Sequence, residues 1–208
     1  MHRPATTTQI RLISGFTALY LAVSAISAWI NGNGEFVFYI LVMLIIIGAV
    51  AWVHHQVGFS AGLLCGLCGW GLLHMAGGLV PIPTSWHTGL DQGVLYNLWF
   101  IPQRLKYDQV VHAFGFGVTT WLCWQCLSVA FHSRSGTTLL PSLGLMVLCA
   151  AAGMGFGALN EVVEFFATLL LPSTNVGGYE NTGWDLVANL VGSTAAALVI
   201  FFHGHSRS

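Results

Sequence analysis

Long apolar runs, almost free of charge, constrain this chain more than any other feature. Six of them recur along 208 residues, near 12–30, 35–53, 57–80, 108–131, 139–160 and 183–202, and the fifth extends in pattern to 171. Each approaches the ~20 residues that a helix needs to cross a ~30 Å hydrocarbon core. Charged residues make up only 6% of the sequence, against about 25% in ordinary soluble domains. A closed β-barrel is the other spanning solution, but it needs short strands of period 2, and no such alternation occurs. The expectation is an all-α, polytopic transmembrane helix bundle of about six spans, forming one integral membrane domain over 1–208. Its partner is the lipid bilayer. With no basic patch and a net charge of -1, nucleic acid is not an expected partner.

Lys and Arg set the expected orientation. With six spans, Arg3, Arg11, Arg134 and Arg207 fall on one side, and Arg104 and Lys106 on the other. The positive-inside rule then places both termini in the cytoplasm and the long 81–107 connection outside. That connection carries Trp86, Tyr96, Trp99, Phe100 and Tyr107, aromatic residues suited to the headgroup level or to a lid over a site. The first run exceeds a signal-peptide core in length and reads as a retained helix. The fifth is awkward, because 33 residues from Leu139 to Leu171 make about 50 Å of helix. It is expected to tilt, bend at Gly153, Gly155 and Gly157, or leave the bilayer.

Ionisable groups inside such runs are informative, since a central Asp costs ~2.5–3.5 kcal/mol even on lenient insertion scales. Asp108 and His112 share one face of the fourth span, and Asp185 and Asn189 one face of the sixth. Asn160, Glu161 and Glu164 crowd the fifth, the glutamates about 60° apart around the axis. In the expected topology all three sets lie in the outer half of the membrane, with His74 of the third span close enough to join them. Carboxylates gathered this way repel unless a cation or proton lies among them.

Three solutions stay open. A divalent metal ion is one, held by Asp108, His112, Glu161, Glu164, Asp185 and His74, with Asn160 and Asn189 in support. Oxygen ligands suit Mg²⁺, Mn²⁺ or Ca²⁺, and imidazole admits Zn²⁺ or Fe²⁺. Partial protonation, making a relay, is the second. Interhelical hydrogen bonding is the third. For the glutamates there is also a bland alternative: a helix leaving the membrane near Leu159 would make both merely interfacial.

The segments KYDQVVHAFGFG (106–117), NEVVE (160–164) and TGWDLVANLVGS (182–193), in this order on successive helices, resemble a bacterial inner-membrane family of unknown function typified by YjdF. More distantly they are similar to VanZ-like proteins. The likeness covers roughly residues 60 to 200. It implies a compact multi-pass bundle in the bacterial inner membrane, and points to Asp108, His112, Glu161, Glu164 and Asp185. Asn189 and Gly192 come from the VanZ-like Asp-x-x-x-Asn-x-x-Gly pattern. Gln109 stands where the YjdF-like pattern has Arg, and the Gln and Arg of VanZ-like helices are missing between Glu164 and Asp185.

Two function classes follow. One is a metal-assisted hydrolase or transferase on a lipid or lipid-linked substrate, with Glu164 or His112 as general base. The other is a non-enzymatic accessory or proton-coupled transport protein that uses the same cluster for helix packing or relay. Two Cys-x-x-Cys pairs, Cys65/Cys68 and Cys123/Cys126, have zinc-site spacing, but cysteine in apolar helices mostly serves packing. Neither a phosphate-binding loop nor a GxSxG elbow is present.

Overall fold

The computed structural model describes residues 2–86 and 93–205. Six helices carry the fold: α1 (Thr7–Ile30), α2 (Gly34–Val57), α3 (Ala61–Leu79), α4 (Tyr107–Ser135), α5 (Leu143–Leu170) and α6 (Tyr179–His205). All six are long and apolar enough to cross a membrane, so the expected all-α polytopic bundle is found. Their outward faces are apolar, with Leu19, Ile26, Ile45, Leu148 and Val199 among the exposed side chains, as lipid-facing surfaces require.

Local chemistry sets the ends. Thr6 and Gln9 form a capping box that starts α1 five residues before the apolar run. Gly58 ends α2 in the left-handed region (φ 68°) and its N–H bonds the His54 carbonyl, a conformation favourable for glycine. Ser60 then caps α3, so the 57–80 run loses its first four residues to a turn. Ser142 caps α5, which starts at Leu143 rather than 139.

α5 runs as one uninterrupted helix of 28 residues to Leu170. Its glycines act through contact: a Cβ at Gly153 would meet Thr120 and Ser193, and one at Gly157 would meet Asn189, whereas Gly155 faces open space.

Successive helices alternate in direction, giving the bundle two unlike ends. At the terminal end, Ala5 N–H bonds the Phe59 carbonyl at 2.9 Å, and Ser60 and Gln125 exchange two hydrogen bonds. The site end carries the α3–α4 connection. Its described part holds two 3-10 turns, Thr84–Trp86 and Leu95–Asn97, and a short antiparallel hairpin, β1 (Trp99–Ile101) and β2 (Leu105–Lys106), with Gln103 at φ 58° in the turn. The Lys106 ammonium lies 5.1 Å from the Trp99 ring centroid.

α4 packs against α3, α5 and α6. Where it meets α6 the backbones nearly touch, since a Cβ on Gly192 would run into the Ala113 carbonyl and one on Gly117 would lie 3.1 Å from the Gly192 carbonyl. Small residues at helix crossings permit this approach. It places His112 beside Asn189.

Candidate metal centre

His112 is the hub. Only 5% exposed, it presents Nδ1 to Asn189 Oδ1 at 3.1 Å and to Glu161 Oε1 at 3.6 Å. Its Nε2 lies 3.6 Å from Asp108 Oδ1 and 3.9 Å from Glu164 Oε1. With Asn189 accepting, Nδ1 carries the hydrogen and the Nε2 lone pair faces two carboxylates. Two lone-pair bearers at that separation repel unless a proton or a cation lies between them.

Two overlapping groups of ligand atoms, each mutually within 4.8 Å, share this imidazole. One comprises Asp108, His112 and Asp185; the other comprises His112, Glu161 and Glu164. Among the described residues they are the groups that could hold an ion.

The outer members are tied down selectively. Asn181 donates to Asp185 Oδ2 at 2.6 Å and reaches Asp108 Oδ2 at 3.5 Å. Asn160 donates to Glu164 Oε1 at 2.8 Å. By contrast no hydrogen bond of ordinary geometry reaches either oxygen of Glu161, although the Asn160 amide is near it, and none reaches Oδ1 of Asp185 or Nδ2 of Asn189; these three residues are 9%, 1% and 0% exposed. Buried carboxylate oxygens are ordinarily satisfied, so orphans aimed at a shared centre call for an explanation. A divalent cation fits this donor set.

The bland alternative for the glutamates does not describe this geometry. Glu161 is buried between helices, and Glu164 borders a half-open polar cavity.

That cavity, about 260 Å³, lies next to the cluster. Asp108, Glu164 and His74 border it on the cluster side, and Lys106, Asn97, Asn175 and Asn181 bring donors. Part of its wall is thus formed by Tyr96, Asn97 and Lys106 of the α3–α4 connection. Tyr96, at its centre, inserts against Gly77, bonds His74 Nδ1 through its hydroxyl, and donates to the His74 carbonyl at 3.0 Å. Burial first, then the nearby Asp108 and Glu164 carboxylates, push the Tyr96 phenol well above its ordinary range, so it stays a donor.

His74 itself stacks on Trp70 at 5.6 Å between centroids and belongs to neither ligand group. It borders the cavity, with its Nδ1 engaged by Tyr96.

Several site residues escaped the sequence reading. Glu35, the one acidic residue of α2, accepts from both N–H and Nδ2 of Asn175 at 2.9 and 3.1 Å and so fastens the α5–α6 connection over the cavity. Its solitary charge in an apolar run was the available signal. Asn181 was also legible, four residues before Asp185; Asn97, Lys106 and Asn175 were not, because only the folded connections bring them near. Gln109 accepts from the Lys106 N–H at 3.0 Å, giving it a capping role at the start of α4.

The cysteines do not converge. All five are free, none belongs to a ligand group, and Cys68 accepts a hydrogen bond from Thr17 at 3.2 Å. Among the described residues the two Cys-x-x-Cys pairs form no four-thiol site.

No curated protein and no solved structure matches the chain. A family model does match, over residues 12–206, nearly the whole of the helical bundle and every member of the acidic cluster. The chain belongs to the family described as predicted membrane protein DUF2238.

Proposed function

We propose that the protein is a divalent-cation-dependent hydrolase or transferase that acts on the head group of a lipid or lipid-linked substrate at one membrane surface. The observation that supports this reading is that Glu161 and Oδ1 of Asp185, buried and without a hydrogen bond of ordinary geometry, belong to the two ligand groups that share His112. Asp108, His112 and Asp185, one of the two ligand groups, would hold the ion, with Glu161 of the other group beside the second ring nitrogen of His112. A carboxylate-rich set with one imidazole suits Mn²⁺ or Mg²⁺, and Zn²⁺ or Fe²⁺ next. The ion would supply Lewis-acid stabilisation of developing negative charge.

Glu164 is the better general base of the two candidates. It borders the cavity, while His112 is enclosed by the cluster. Asn160 engages Oε1 of Glu164, leaving Oε2 to take the proton of a water or substrate hydroxyl as that oxygen attacks and the leaving group departs. Lys106, Asn97 and Asn181 border the space where an anionic head group would sit. In this reading the site end faces outward and both termini are cytoplasmic, in a bacterial inner membrane, consistent with Arg3, Arg11 and Arg134 at the other end.

The relay alternative has less support. A proton path across the bilayer needs ionisable groups at successive depths. Yet α4 has no Asp, Glu, His, Lys or Arg between His112 and His132, α5 none before Glu161, and α6 none between Asp185 and His203. Below the cluster Thr120 and Ser193 both donate to the Phe116 carbonyl, a packing arrangement. Elemental analysis of protein purified without chelator tests the proposal: about one divalent ion per chain, lost in Asp185→Asn, is expected. Protein that is metal-free and binds no added Mn²⁺ would overturn it.

A further inference from the structure

On the far side of the bundle from the acidic cluster, α1, α2 and α3 enclose a second cavity of about 510 Å³. Its walls are hydrocarbon, including Ile13, Leu21, Ile47 and Leu67. Its lining runs from Tyr20, Met43 and Trp70 at one end to Ile10 and His54 at the other, the end taken as its mouth. From Met43 to His54 is eleven residues of α2, ~16 Å at ~1.5 Å per residue. That is about half of a ~30 Å hydrocarbon core, the depth of one leaflet's chains.

The mouth distinguishes one class of lipid. Every described Asp and Glu lies at the site end of the bundle, on Glu35, Asp108, Glu161, Glu164, Glu180 and Asp185, whereas the mouth end carries Arg3, Arg11 and Arg134. Arg11 follows the mouth residue Ile10 on α1 and is exposed. His54 accepts the Phe59 N–H on Nδ1 at 3.0 Å, which fixes its other ring nitrogen as an N–H donor. An apolar slot one leaflet deep, with an imidazole N–H in its wall, Arg11 one residue beyond Ile10 and no carboxylate at that end, is complementary to a phosphodiester head with an attached acyl chain.

We infer that the α1–α2–α3 cleft binds one anionic phospholipid, an acyl chain in the slot and the phosphate at Arg11 and His54. The site is separate from the metal centre and does not depend on the proposed reaction. Its occupancy ties the α1–α2 hairpin to α3, the helix whose other end holds His74.

Native mass spectrometry of the full-length protein, titrated with dioleoylphosphatidylglycerol or dioleoylphosphatidylcholine, tests this. The first phosphatidylglycerol should bind at least roughly tenfold more tightly than phosphatidylcholine. Ala51→Phe, which fills the slot, and the double variant Arg11→Ala/His54→Ala should each remove most of that preference, while Arg11→Lys keeps it. In wild-type protein, phosphatidylglycerol carrying a diazirine on its acyl chain should label 10–21, 43–54 and 64–70 saturably. Equal binding of the two lipids, unchanged binding in Ala51→Phe, labelling spread around the whole bundle, or a lipid-driven dimer with the cleft at its interface would each overturn the inference.

Discussion

Glu161→Gln should raise the stability of the metal-free protein and abolish its stabilisation by Mn²⁺. The wild-type carboxylate has two buried oxygens that no hydrogen bond of ordinary geometry reaches and lies 3.6 Å from an imidazole nitrogen already facing Asn189. An unsatisfied buried polar group costs about 1–3 kcal/mol, and a charged one more. The amide removes the charge and brings two N–H donors into a site rich in acceptors. For a chain of this size each kcal/mol moves the melting temperature by about 2–4 °C, so the metal-free variant should melt several degrees higher.

Mn²⁺ at a hundred times its Kd adds about 2.7 kcal/mol to the native state. Wild-type protein should therefore gain about 5–11 °C on addition of Mn²⁺, and the variant almost nothing. Differential scanning fluorimetry in detergent, with and without chelator, reads both effects. If wild-type protein shows no Mn²⁺ shift, or if Glu161→Gln destabilises the metal-free form and keeps the shift, the cation reading is wrong.

Three further perturbations separate packing from chemistry. Gly192→Ala places a methyl group against the Ala113 backbone carbonyl and should cost about 1–3 kcal/mol by overpacking. Gly155→Ala meets nothing within 4 Å and should be neutral or stabilise by up to about 1 kcal/mol; thermal denaturation compares the two. Glu35→Ala orphans the Asn175 N–H and should destabilise by about 1–3 kcal/mol, with faster proteolysis within 172–178, whereas Glu35→Gln keeps an acceptor and most of the protection. Mn²⁺ affinity should fall as pH drops from about 7.5 to about 5.5, because imidazole and carboxylate ligands must shed protons to bind; isothermal titration in two buffers of different ionisation enthalpy reads the released protons.

The helices were legible because a spanning segment must satisfy its backbone internally, leaving a long apolar run as its signature. Their ends were less so. Thr6 and Ser60 shift the starts of α1 and α3 through capping bonds that hydropathy does not register. Asp108, His112, Glu161 and Asp185 stood out because ionisable residues are rare in such apolar runs, and i,i+4 spacing gave the faces of Asp108 with His112 and of Asp185 with Asn189.

Spacing could not show which atoms meet. That depends on the Gly117–Gly192 crossing of α4 and α6, and on Tyr96 reaching down from the α3–α4 connection to engage Nδ1 of His74. Glu35 is a different case. It was read as the edge of a span, and its partner Asn175 is distant in sequence, so the bond that closes the cavity roof had no local trace.

The most direct measurement is anomalous scattering at the manganese edge from crystals of the protein grown with Mn²⁺. The expected result is one strong peak between α4, α5 and α6, with His112 and at least two of Asp108, Glu161 and Asp185 about 2.0–2.4 Å from it. Well-ordered side chains at the same positions with no anomalous peak, the carboxylates sharing protons or waters instead, would contradict the account.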